Sequence, residues 1–182
     1  MFEGIKRKIG LRQMRSEYKN LRRVGKVFNL STAQSVALIY QCDSEEKLEQ
    51  VKKYVRHLKE EHGIKKLMAL GFVNEKTLPE YAKAKLDLDF FCQADLSWNL
   101  RPSGNAVRNF CSESYDILID LEKDEIVPLR HILNKSKSRF KVGYFTEQFG
   151  NYYDFMLDVK STEMLDYIAQ VNHYLSIINK VS

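Results

Sequence analysis

No stretch of this sequence approaches the roughly 20 consecutive apolar residues that a membrane-spanning helix needs; apolar runs such as Val36 to Tyr40 end after about five. A secretory leader is not expected either. Lys6, Arg7, Lys8, Arg12 and Arg15 occupy the positions where its apolar segment of about 7–15 residues would lie. The expected compartment is therefore the cytoplasm. Cysteine is scarce: Cys42, Cys92 and Cys111 are odd in number, widely spaced and without a Cys-x-x-Cys pair. That pattern argues against a disulfide framework or a zinc knuckle and for reduced, mostly buried thiols. Three prolines and eight glycines are too few for a disordered or collagen-like chain.

Several chemical signatures are missing as well. His57, His62, His131 and His173 show no His-Glu-x-x-His spacing, so no metal site is expected from them. Without a Gly-x-Ser-x-Gly elbow, a hydrolase triad has no nucleophile. There is neither a Walker loop nor a Gly-x-Gly-x-x-Gly turn, and no cofactor is implied. The chain reads as a non-enzymatic binding or adaptor protein; the alternative is an enzyme that binds a nucleotide or sugar phosphate through the loop after the third strand.

Charge is present but unevenly placed. Residues 1–26 hold nine Lys or Arg against Glu3 and Glu17, a net of +7, whereas the rest holds 20 basic and 22 acidic residues, a net of −2. All of the excess positive charge is N-terminal.

The first elements follow from hydrophobic spacing. Ile5, Ile9, Met14, Tyr18 and Leu21 predict a helix over 3–24, with Gly10 its weak point and Lys and Arg on its other faces. Ser35 to Tyr40 is short, β-branched and apolar on both faces, as a central parallel strand requires. Asp43 as N-cap, the stripe Leu48, Val51, Val55 and Leu58, and a stop at Gly63 predict the next helix. Lys66 to Phe72 then completes a β-α-β unit.

Strands are predicted further on over 86–91, 115–120, 140–144 and 153–158. Helices fall over 103–112 and 126–137, with Pro128 in the first turn, and a closing helix is capped by Ser161. The expectation is an α/β fold: a three-layer, Rossmann-like, mostly parallel sheet of about six strands over 27–182, preceded by an extra basic N-terminal helix over 1–26.

In such a sheet, ligands gather beyond the carboxyl ends of the strands. After the third strand comes Asp95-Leu-Ser-Trp-Asn-Leu-Arg-Pro-Ser-Gly-Asn105, where Arg101, Ser103 and Gly104 at a helix start could hold a phosphate or carboxylate while Trp98 stacks on a flat ring. The other reading is a capped helix with this single tryptophan packed in the core. Asp116, Asp120, Glu122, Asp124 and Glu125 surround the end of the fourth strand. Asp116 and Asp120 are about 13 Å apart along a strand, too far to share an ion, but Asp120 with Glu122 or Asp124 suits a hard cation; otherwise these acids cap a helix.

The basic helix admits three partners. Arg12, Arg15, Lys19, Arg22 and Arg23, with Tyr18 or Phe2 stacking, suit RNA or a ribonucleoprotein. The same composition suits an anionic membrane surface, with Phe2, Ile5 and Ile9 dipping into it, or an acidic protein partner. The plain alternative is a helix packed on the sheet with its charges solvated.

Two resemblances add to this. The order Val27-Phe-Asn29, Val51-Lys-Lys-Tyr-Val55, Leu70-Gly-Phe72, Asp89-Phe-Phe91, Trp98-Asn-Leu-Arg-Pro-Ser-Gly104, Tyr115-Asp-Ile-Leu-Ile-Asp-Leu121 and Lys141-Val-Gly143 resembles a family of uncharacterised Bacteroidota proteins over nearly the whole chain. It implies a cytoplasmic protein and no particular activity. Locally, Tyr115 to Leu121 followed by Arg139-Phe-Lys-Val-Gly-Tyr-Phe145 is similar to one Rossmann-like half of the heptosyltransferase-like glycosyltransferases. That likeness implies the fold and not sugar transfer, because fold does not fix function.

Overall fold

Alternation of apolar strands with amphipathic helices produces a six-stranded sheet in the computed structural model, which describes residues 2–19, 25–147 and 150–178. The strands are β1 (Ser35–Gln41), β2 (Lys66–Val73), β3 (Leu88–Cys92), β4 (Ile117–Asp120), β5 (Phe140–Tyr144) and β6 (Phe155–Leu157). The helices are α1 (Phe2–Lys19), α2 (Glu45–Glu60), α3 (Asn105–Ser112), α4 (Val127–Lys135) and α5 (Met164–Ile177). Strand order is β3-β2-β1-β4-β5-β6, and every neighbouring pair runs parallel. The chain winds outward from β1 in one direction and from β4 in the other, so the order reverses between these two strands.

Period-two alternation divides β1 between the two faces. Val36, Leu38 and Tyr40 join Leu48, Val51 and Tyr54 of α2 and Tyr167, Val171 and Leu175 of α5 in one core. Ala37 and Ile39 join Val107 and Phe110 of α3 and Leu129, Ile132 and Leu133 of α4 in the other. Strands buried on both faces must be apolar throughout, and the wholly buried β4 and β5 obey this except where a polar side chain has a buried partner.

Element ends differ from the sequence reading for local reasons. The N-cap of α2 is Ser44 and not Asp43: the Ser44 hydroxyl accepts from Lys47 N–H at 3.1 Å, while Asp43 pairs with Lys47 Nζ at 3.4 Å. Strand β3 starts at Leu88 because Lys85 and Leu88 bond across a tight turn that leaves Leu86 87 % exposed. Tyr153 precedes β6 rather than belonging to it, and a 3-10 turn over Gly150–Tyr152 leads in. Ser161 acts three residues ahead of α5, accepting from Glu163 N–H and donating to the Asp166 carboxylate. The expected continuation of the first helix through residues 20–24 lies outside the described residues.

A glycine in β5 is fixed by packing. A Cβ on Gly143 would lie 2.2 Å from the Tyr153 ring, whose hydroxyl donates to Asp120 at 2.8 Å. With that ring anchored, Gly143→Ala is expected to cost about 3 kcal/mol, the upper end of ordinary overpacking. Urea unfolding of the variant beside the wild type measures it.

Candidate ligand cleft at the sheet's switch point

The reversal of strand order opens a crevice above the carboxyl ends of β1 and β4, and neighbouring segments wall it. The resulting open cleft has a volume of about 560 Å³, with Gln41 ending β1, Phe72 and Asn74 at the end of β2, Gln93 after β3, and Glu125 to Pro128 leading into α4. Ser97, Trp98 and Leu100 form a further wall.

These last residues belong to a tight hairpin. Leu96 bridges to Pro102, Ser97 N–H donates to Arg101 O at 3.0 Å, and Leu100 takes a left-handed φ of 64°, a strained conformation for a branched residue. The hairpin leaves Trp98 64 % exposed, so the tryptophan is not a core residue. The core reading fails because the turn points this ring into the cleft lining instead of toward either apolar layer.

The floor under the β4 end is a buried ionic cluster. Asp120, fully buried, accepts from the Arg130 guanidinium and from Tyr153 Oη, and its other oxygen accepts from Glu122 N–H at 3.0 Å. Arg130 also donates to Asp124 O at 3.0 Å. Burial, and then the Asp120 carboxylate, push the Tyr153 hydroxyl well above its usual range, so it stays a proton donor. Glu122 bonds Gln41 N–H at 2.7 Å and Lys47 Nζ at 2.8 Å. Burial raises its carboxyl above the ordinary range, although Lys47 and the Gln41 N–H pull it down. Asp120 and Glu122 thus both hold protein partners, and neither lines the open cleft. Among the described residues no group of three His, Cys, Asp or Glu could hold a metal.

The N-terminal helix supplies the remaining wall. Gly10 is buried where a Cβ would meet Asn99 O at 2.6 Å and Val127 at 3.2 Å, and Leu11 packs on the α3–α4 core. This contact seats α1 against the hairpin and the start of α4. Lys6 and Arg7 consequently line the cleft, and Arg7 pairs with Glu125 at 2.9 Å. The second Glu125 oxygen is buried without a partner. Lys8 and Arg12 are exposed, Ile5 is exposed and Ile9 is half-buried. Arg15 and Lys19 lie on α1, whereas Arg22 and Arg23 lie outside the described residues.

The loop residues expected to work with Trp98 go elsewhere. Arg101 and Ser103 line a separate hollow between α3 and α4. Ser103 is spent on its own loop, donating twice to Asp95 O, and Gly104, at φ 95°, caps α3 with the Asp95 carboxylate against it. Sequence reasoning missed Lys6, Arg7, Gln41 and Glu125 as one constellation. The position of Gln41 and Glu125 beyond strand ends was the signal available for two of them.

Taken together, fold and cleft define a doubly wound, Rossmann-like α/β domain with an open crevice at its switch point. The chain belongs to the family of unknown function DUF6913, which it matches over residues 6–178. No curated protein and no solved structure matches it. No helix among the described residues is long and apolar enough to cross a membrane.

Two outcomes follow. Gly10→Ala places a methyl on the Asn99 carbonyl, so amide exchange across residues 4–12 is expected to accelerate while that of β1 and β4 stays slow. His131, on α4 and 1 % exposed, has its proton affinity lowered to about 4 by burial first and then by Arg101 and Lys135. The unfolded chain then binds the proton more tightly than the folded one. Stability should fall by about 3 kcal/mol as pH drops from roughly 6.5 to 4, and His131→Leu should abolish that part of the slope in urea unfolding.

Proposed function

We propose that this protein is a non-enzymatic adaptor that binds single-stranded RNA, or the RNA of a ribonucleoprotein, across the cleft between α1 and the Trp98 hairpin. The carrying observation is the docking of the basic helix. It brings Lys6 and Arg7 onto the same cleft as an exposed tryptophan, and leaves Lys8 and Arg12 exposed on the same helix. A basic track beside an aromatic platform is how single strands are held without sequence readout, with stacking contributing about 1–3 kcal/mol per base.

A second reading rests on the cleft being a bounded crevice at a switch point, the usual seat of a nucleotide or sugar phosphate in this architecture. The two differ in what length of ligand they need.

Trp98 is the single tryptophan, so its emission reports the cleft directly. An oligouridylate is expected to quench it at low salt, with affinity falling by a log–log slope of about −3 if Lys6, Arg7, Lys8 and Arg12 each meet a phosphate. Combined Lys6→Ala and Arg12→Ala should flatten that slope by about half. Quenching by a nucleoside monophosphate as tight as by the oligonucleotide would select the small-ligand reading. Unchanged emission with both would refute the cleft as a nucleotide site.

A further inference from the structure

Two helices cover the same side of the sheet and present opposite chemistries to solvent. On α2 the exposed positions are Glu45, Glu46, Glu49, Lys53, Arg56 and Glu60, all charged, as a solvated helix face is expected to be. On α5 they are Leu165, Ala169, Gln170, His173, Tyr174 and Ile177, with Asp166 the one formal charge among them. Leu165 and Ile177 are 52 % and 50 % exposed. Tyr174 lies 6.2 Å, ring to ring, from Phe155 of the edge strand β6, which carries the apolar patch onto the sheet edge. The other face of α5, with Tyr167, Ile168, Val171 and Leu175, is core. α5 is therefore apolar on both faces, and such a helix is ordinarily covered on both.

Spacing and charge identify the cover. Asp166 and His173 are seven positions apart, about two turns, so they share one line along α5 with Ala169 between them. A second α5 running antiparallel, with a two-fold axis level with residues 169 and 170, sets Asp166 against His173 of the second copy and His173 against its Asp166. One carboxylate–imidazole contact is thus made twice, the self-complementarity that a two-fold interface demands. Ala169, at the crossing, has no side chain beyond Cβ and permits a close approach of about 8 Å between helix axes. Both polar groups are held locally: the Ser161 hydroxyl donates to Asp166 Oδ2 at 2.5 Å, and the His173 ring stands edge-on to Tyr174 at 5.2 Å.

We propose that the protein forms a homodimer in which α5 packs antiparallel on α5 of a second copy. The interface lies across the sheet from α3, α4 and the cleft, so it stands independently of the RNA reading. A contact one helix long, about 21 Å, is at the small end of specific interfaces, and the dimer is expected to dissociate in the micromolar range.

Sedimentation equilibrium of the full chain from about 1 to about 300 μM is expected to show monomer giving way to dimer. Asp166→Lys removes both carboxylate–imidazole contacts and His173→Asp opposes two carboxylates twice. Each should weaken self-association, the second about tenfold, with the far-UV dichroism of the wild type retained. Mixed in equal amounts, the two variants regain an opposite-charge contact at both positions and should form a heterodimer at least as tight as the wild-type dimer. Rescue on mixing is specific to 166 meeting 173 across a two-fold axis. Combined Leu165→Lys and Ile177→Lys should leave a folded monomer. A wild-type chain that stays monomeric over the whole range would overturn the proposal and leave this face to a different protein. Dimerisation indifferent to these substitutions, or weakened by them without rescue on mixing, would overturn it equally.

Discussion

The buried pairing of Asp120 with Arg130 is the constraint on which the upper half of this molecule depends. A carboxylate at the end of a central strand, wholly removed from water, is tolerable only with a charged partner and further hydrogen bonds; stripping one member from such a pair typically costs about 3–5 kcal/mol. Here Tyr153 Oη and Glu122 N–H complete the shell, and the other arm of Arg130 reaches Asp124 O. One ion pair thereby ties β4, the 121–126 turn, the first turns of α4 and the approach to β6. Because Glu125 sits in that turn and bonds Arg7, the placement of α1 is tied to the same cluster.

Seen this way, the molecule has a rigid sheet and a borrowed wall. Gln41, Phe72 and Gln93 belong to the strand ends and follow from the sheet, but Lys6 and Arg7 reach the cleft through a helix whose described contacts include the close approach of Gly10, the packing of Leu11 and the Arg7–Glu125 ion pair. Trp98 depends on a seven-residue hairpin whose shape includes a left-handed Leu100. The charged and aromatic parts of the cleft are the parts least covered by core packing, an arrangement common where a surface must accommodate a ligand.

Much of this architecture was legible from residue pattern. Continuous apolar runs such as Val36 to Tyr40 identify strands covered on both faces, and the stripe from Leu48 to Leu58 identifies α2. What escaped was set by contacts distant in sequence. Gly10 reads as a flaw in a helix, yet it is the point where α1 touches the Asn99 carbonyl. Asp120 and Glu122 read as ligand acids because nothing local reveals that Arg130 and Lys47 will reach them. Trp98 and Arg101, three positions apart, read as one site, and the hairpin sends them into different hollows. Short elements also lost definition, since β6 has only three residues and its neighbour Tyr153 is recruited by the ion pair.

The adjacency of β1 and β4 has a kinetic side. The two strands are hydrogen-bonded neighbours at the centre of the sheet, yet Gln41 N–H meets a carboxylate 81 residues further along the chain. Everything between them, including β2 and β3, must emerge before the central pair can close, and loop closure over such a separation precedes any reward from contact. The segment from β1 to β3 is therefore synthesised with one flank of β1 unsatisfied until β4 emerges, and over that interval β1 has the exposed hydrogen-bonding edge of a terminal strand.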